Sequence, residues 1–304
     1  MEELIKILNT SDNDIEQYVD GRIEYLNSLS SNIEEVSLGE DDGEIYEGWI
    51  NTNVSYLPSG TRSKGFKLTK QFYIDFCKAI KENFGQYDIT VVKSKFNSER
   101  LIKWINLYLP IYFGEICDDD FRKDIYGYGK LSSIGETLNI EEIKGKKVAR
   151  CIEKSGGFNG LANFMGIDCS LVVSDATVGG NTTGHAYCLL QGDEKSRICD
   201  PNFFDETVDE NGKRKSIPFI FDLDTNNRNN SVTFNSGELG GMVQPTIIHY
   251  DFPWAKLKTR HKTIDSRDIA TADKNQGLTS SEVGWMKNLI SRLSDKLRNT
   301  GEKQ

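Results

Sequence analysis

No apolar run in this 304-residue chain approaches the ~18–20 residues needed to span a bilayer, so no membrane helix is expected. Histidine is scarce, with 3 residues, and proline too, with 6. Basic charge is outweighed, 37 Lys and Arg standing against 46 Asp and Glu. A chain of net charge −9 is a poor general partner for nucleic acid, because neutralising phosphates needs clustered cations. The opening MEELIKILNTSDND is acidic and amphipathic and lacks the basic-then-apolar layout of a secretory signal. The six cysteines, Cys77, Cys117, Cys151, Cys169, Cys188 and Cys199, are spaced neither for a zinc site nor for a dense disulfide framework. Reduced thiols in a cytoplasm are the simplest reading, and no metal or cofactor is expected. The acidic stretches SDNDIE and DLDTNNRNN lack the glycine and closing glutamate of a calcium loop, so they read as solvated.

Apolar content is low at 37%, but 15 Phe and 12 Tyr suffice for a core. The length suggests one core with large additions. Helical spacing appears twice within residues 1–30, and residues 31–64 read as a loop-rich insertion. A helix through Leu68, Phe72, Phe76, Ile80 and Phe84 should stop at Gly85, with a β-like stretch, Asp88–Val92, after it. Ser98 is the expected N-cap of a helix that Pro110 ends. Another helix is expected over Cys151–Met165, stopping at Gly166, and then strands at Cys169–Val173, His185–Leu190, Arg197–Asp200, Ile217–Phe221 and Thr246–Tyr250. The expected division is a helical extension over 1–95, a catalytic core over 96–260, and a polar tail over 261–304 with one helix at Ser280–Leu297.

Three residues stand out within this pattern. Cysteine chemistry on an amide needs a thiol, a base that holds its proton, and an acceptor that fixes the base. Cys151 begins a helix, where the dipole and unsatisfied N–H groups favour a thiolate and an oxyanion. If Gly192-Asp193 forms a two-residue hairpin loop, His185 falls directly opposite Asp200 on one face of an antiparallel pair; a four-residue turn would put Asn202 there instead. Cys188 falls on the other face from His185, and Cys169, Cys188 and Cys199 read as core. His249 reads as a packed or edge residue, and His261 as a solvated one.

The run CIEKSGGFNGLANFMGI from Cys151, then Gly184-His185-Ala186, then Asp200-Pro201, resembles the transglutaminase-like superfamily of cysteine enzymes. The intervals from Cys151 to Gly166 and from His185 to Asp200 are typical of it. Ser133–Leu138 is similar to the lead-in to its nucleophile, while Trp104-Ile-Asn and Ile111-Tyr112 faintly resemble its preceding helix and strand. Ala149 stands where the family usually has glycine. The resemblance covers about residues 100–205. It implies an α+β, transglutaminase-like or papain-like core, a catalytic helix on an antiparallel sheet, and a Cys151–His185–Asp200 triad. Trp104 and Tyr112 are its candidates for a further oxyanion donor.

The expected function is therefore cysteine-dependent acyl transfer on peptide or glutamine-type amides through a thioester, in a protease or amidohydrolase. A cross-linking transglutaminase, a deamidase (including an effector acting on a host protein) and a non-catalytic binding module are the alternatives. Arylamine N-acetyltransferases share the triad but have Arg-Gly-Gly before the cysteine, which this chain lacks. The expected partner is a protein or peptide substrate, and the sequence leaves the oligomeric state open.

Overall fold

Leu4 and Ile7 of α1 (Glu2–Asn9) and Ile15, Val19 and Leu26 of α2 (Ile15–Leu29) recur at helical spacing and are buried. The structure is a computed structural model and describes residues 1–257 apart from 31, 39–42, 59–63, 115–116, 118, 128–135, 192–195, 209–213, 224–230 and 237–243. His261 and the helix expected at Ser280–Leu297 lie outside the described residues, as does part of the Ser133–Leu138 lead-in. The fold is mixed α+β. Among the described residues no helix is long and apolar enough to cross a membrane.

Residues 31–64, expected to be loop-rich, and the three after them carry short strands among their described positions. They form β1 (Glu35–Ser37), β2 (Glu44–Tyr46), β3 (Ser55–Leu57) and β4 (Gly65–Lys67), each too short to show a period-2 pattern in sequence. With β5 (Thr137–Asn139) they build a four-stranded sheet in the order β1-β3-β4-β5, while β2 joins the larger sheet. The first 95 residues are thus partly β rather than a purely helical extension. Most of their buried apolar side chains lie in one cluster with those of the later helices, while Ile45 of β2 joins a second one.

Helix α3 (Lys70–Phe84) turns Phe72, Phe76, Ile80 and Phe84 inward and has Gly85 at its C-cap, as expected. The next stretch is a correction: α4 (Ile89–Lys95) is helical, not β. Its β-branched Ile-Thr-Val-Val run is overridden by Asp88, whose carboxylate accepts from the Thr90 N–H at 2.7 Å. Helix α5 (Ser98–Phe113) is capped by Asn97, not Ser98, and runs through Pro110 to Gly114, whose left-handed backbone (φ +88°) ends it. Ile111-Tyr112 therefore lies in a helix and not a strand. Helix α6 (Asp119–Tyr126) follows.

The larger sheet runs β10-β11-β6-β7-β8-β9, and every neighbouring pair is antiparallel. Its strands are β6 (Cys169–Val178), β7 (Asn181–Gln191), β8 (Ser196–Val208), β9 (Arg214–Asp222), β10 (Ser231–Ser236) and β11 (Gln244–Tyr250). Gly179 and Gly180, with φ of +55° and +88°, join β6 to β7 in the left-handed conformations that a two-residue hairpin requires. On one face, Leu171, Val173, Ala186, Cys188 and Cys199 meet the helices. On the other, Val172, Tyr187, Leu189, Ile198, Ile248 and Tyr250 form a second cluster. Cys188 is indeed on the face opposite Tyr187 and His185.

The β7–β8 register corrects the expected hairpin. Gln191 pairs with Ser196 and Cys188 with Cys199, so four residues rather than two separate the strands. Continued past Cys188, that register sets Asn202, not Asp200, across from His185. The ladder itself stops at Cys188 and Cys199.

Helix α7 (Cys151–Phe164) packs on the helix-facing side of this sheet and is buried nearly all round. Its glycines permit that burial. A Cβ on Gly156 would lie 3.0 Å from the Tyr56 ring of β3, and one on Gly157 3.0 Å from Leu109 of α5. Gly166, with φ +75°, follows the helix end as expected. Gly160→Ala gains ~1 kcal/mol of helix propensity. Its new methyl, however, would stand 2.6 Å from Tyr73 Oη and 2.8 Å from Leu68 Cδ1. Overpacking of ~1–3 kcal/mol outweighs the gain. The urea midpoint of Gly160→Ala is therefore expected to fall; a rise would mean that the helix does not touch Tyr73 this closely.

Candidate active site

Cys151 is the first residue of α7, on Arg150 as N-cap. Arg150 is extended (φ −113°), and among the described residues the only non-glycine positive φ is at Lys147. The absence of glycine at position 149 is thus no obstacle to this helix start. Glu153 in the first turn accepts the Arg150 N–H at 2.9 Å, one half of a capping box. The other half is lacking, because a guanidinium has no acceptor to offer the helix N–H groups. Glu153 also receives Arg122 of α6 at 2.5 Å, with both side chains almost wholly buried, and Arg122 donates as well to the Val148 carbonyl. A second α6 residue, Asp119, pairs with Arg150, but in the open, where such pairs contribute ~0–1 kcal/mol.

His185 lies on β7 and Asp200 on β8, both just past the end of the β7–β8 ladder. Polar contacts there go to α7 instead: the Ser155 hydroxyl donates to the Ala186 carbonyl at 2.8 Å, and Lys154 Nζ lies 3.4 Å from Asn202 Oδ1. Beyond Asp200, the β8–β9 register breaks between Asp200 and Phe204, where Pro201 has no N–H to give a ladder. His185 and Asp200 are therefore neighbours on a diagonal rather than directly opposed. His185 Nε2 stands 2.6 Å from Asp200 Oδ2. The Cys151 thiol is within hydrogen-bonding reach of the same imidazole. With Nε2 engaged by Asp200, Nδ1 is the nitrogen left to meet the thiol. All three residues singled out in the sequence thus come together, and Cys151 is the most exposed of them.

Burial opposes charge on the His185 ring, but the Asp200 carboxylate, by charge and hydrogen bond, overrides it, with Cys151 adding to the effect. Its pKa is raised from 6.5 to about 10. Asp200 Oδ1 accepts the Asn202 N–H at 3.0 Å, and its Oδ2 accepts the Tyr250 hydroxyl at 2.8 Å. The ring of Tyr187 lies nearly parallel to the imidazole at 6.0 Å, its own hydroxyl meeting Ser174 at 3.0 Å. Lys154, one helical turn beyond Cys151, is buried, and burial lowers its pKa against the opposing pull of Asp200, Glu153 and the Cys117 and Cys151 thiols.

Neither proposed oxyanion side chain is here. Trp104 packs among Phe76, Phe84 and Tyr108, and Tyr112 among Phe72 and Phe113, in the α3–α5 core. The first N–H groups of α7, which have no partner within the helix, lie at the end of the helix that carries the thiol. His249 is exposed on β11, with Ser231 Oγ 2.7 Å from its Nδ1. Tyr250, Arg122 and Lys154 escaped the sequence reading. Only Glu153 had a local signal, an acidic residue at the third position of a helix. Compared with known proteins, the chain matches no family model, no curated protein and no solved structure.

Removing one member of the buried Arg122–Glu153 pair leaves the other's charge uncompensated. Arg122→Met is expected to cost ~3–5 kcal/mol in chemical denaturation, and adding Glu153→Gln to restore part of it; a cost under ~1 kcal/mol would show that the pair does not hold the helix start. The His185 pKa is higher in the folded chain than the usual 6.5. Its protonation therefore stabilises the fold fully below pH ~6.5, and that contribution is lost as pH rises towards ~10. The stability gap between wild type and His185→Gln is expected to narrow from pH 6 to pH 10; a widening gap would contradict the assigned direction.

Proposed function

We propose that the chain is a cysteine-dependent acyl-transfer enzyme with a transglutaminase-like active site, acting on amides of peptides or glutamine side chains. The observation that carries this reading is the Cys151 thiol at a helix start, within reach of a buried imidazole whose far nitrogen Asp200 holds at 2.6 Å. A lone buried cysteine is usually just a small hydrophobe. Here, though, Cys151 is partly exposed, whereas Cys77, Cys169, Cys188 and Cys199 are buried.

In the mechanism, thiol and imidazole share one proton, and the Asp200 charge favours its being on the ring. The sulfur attacks the amide carbon, and the carbonyl electrons move onto oxygen, facing the first N–H groups of α7. When the tetrahedral intermediate collapses, the C–N bond breaks and His185 gives its proton to the leaving ammonia or amine. A thioester on Cys151 remains. Water, deprotonated by His185, then attacks it, releasing acid and thiol. An amine in place of water would give cross-linking through the same first half-reaction. We favour hydrolysis, because water is always present and no amine site is evident among the described residues.

Brief iodoacetamide treatment at neutral pH is expected to label Cys151 at least ~10-fold faster than Cys117, the other partly exposed thiol, whose pKa burial and Asp119 raise. Mass spectrometry after incubation with glutamine-containing peptides is expected to find an acyl adduct on Cys151 and none on Cys151→Ala. Equal labelling of the two thiols, together with turnover by Cys151→Ala, would sink the proposal.

A further inference from the structure

Asp200 Oδ2 is shared. It takes His185 Nε2 at 2.6 Å and the Tyr250 hydroxyl at 2.8 Å, while Oδ1 is occupied by the Asn202 N–H at 3.0 Å. Tyr250 comes from β11, and in sheet order β6 and β7 stand between it and β8. It is 1% exposed, with its ring 6.1 Å from the imidazole and 4.8 Å from Tyr187, which it meets edge-on. Burial and the Asp200 carboxylate keep its phenol protonated, so it is a donor at any working pH. The nearby sheet hydroxyl, that of Tyr187, meets Ser174 instead.

Resting on the thiol mechanism proposed above, we infer that Tyr250 is a positioning residue of this site, fixing Asp200 Oδ2 and drawing off part of the charge that the carboxylate would otherwise present to His185. Two donors on one oxygen compete for the same negative charge. The hydroxyl proton also sets the positive end of a dipole near the imidazolium. Both effects make His185 a weaker base than Asp200 alone would make it, and readier to pass its proton to a leaving amine. Among the described residues, the other charged or titratable groups around the pair are Cys151 and Lys154 from α7, Tyr187 and Cys188 from β7, Cys199 from β8 and Asp251 just past β11. None of them is altered when the Tyr250 oxygen is removed.

The sign of the effect separates this role from simple packing. If the hydroxyl draws charge from Asp200, Tyr250→Phe strengthens the hold of Asp200 on the imidazolium. If Tyr250 only wedges Asp200 in place, its loss loosens the pair and weakens that hold. Imidazole NMR titration of the full chain reads the difference, with His249 and His261 as internal references. The His185 midpoint is expected to rise by about half a unit or more in Tyr250→Phe and to stay put in Tyr187→Phe. A midpoint unchanged or lowered in Tyr250→Phe, or an equal rise in both variants, overturns the inference. Should Tyr250→Phe not fold, the unsubstituted protein still decides: the bond requires a Tyr250 hydroxyl proton protected from exchange, and its absence overturns the inference too. None of these readouts requires turnover. Failure of Cys151 to alkylate or acylate would therefore remove the thiol mechanism separately from the Tyr250–Asp200 linkage.

Discussion

The β7–β8 ladder stops at Cys188 and Cys199, and the candidate site depends on that stop. Were the ladder continuous, the backbone beyond Cys188 would be committed to strand pairing, and the start of a helix would find no partners there. Instead, the Ala186 carbonyl accepts from Ser155, and Asn202 lies by Lys154, so strand and helix are joined by polar contacts where strand and strand are not. The broken β8–β9 register after Asp200, with Pro201 at the break, belongs to the same device. A thiol carried on a helix is thereby brought to an imidazole carried on a strand.

Around this junction the charges are settled in pairs. Arg122 answers Glu153 in the interior, Arg150 answers Asp119 at the surface, and His185 answers Asp200. The interior pair also ends the helix cleanly, since Glu153 caps the Arg150 N–H with its second oxygen. Because α6 supplies both Arg122 and Asp119, one short helix anchors the start of α7 twice. What a serine or aspartate would offer the helix N–H groups is still missing; Glu153 and Arg122 hold only the backbone that leads into the helix, at the Arg150 N–H and the Val148 carbonyl.

Local chemistry made much of this legible in the sequence. The Cys151 helix, its end at Gly166, and the strands bearing His185 and Asp200 follow from spacing and turn residues that act within a few positions of themselves. The register did not follow, because it depends on the length of the turn after Gln191, and both a two-residue and a four-residue turn keep the hydrophobic faces of β7 and β8 aligned. His185 and Asp200 still meet, since a slip of two positions preserves the face and only turns an opposed pair into a diagonal one. Tyr250 and Arg122 were invisible for a different reason: each is joined to the site across long stretches of chain, and a tyrosine on an alternating strand looks like any other core residue. At Asp88–Val92 a β-branched run pointed the wrong way, because a single capping carboxylate outweighs the propensities of four neighbours. The three-residue strands of residues 35–67 carry too few positions to show any period.

The glycines of α7 have a consequence for the Cys151 thiol. Where Gly156, Gly157 and Gly160 face Tyr56, Leu109 and Tyr73, the helix backbone itself touches rings and methyls, with no side chain between to act as a cushion. A helix seated in this way can neither slide nor roll without breaking several contacts together. Sulfur at its first residue inherits the tolerance of a close-packed interior rather than that of a loop, which is the pre-organisation that the proposed addition to a carbonyl would use.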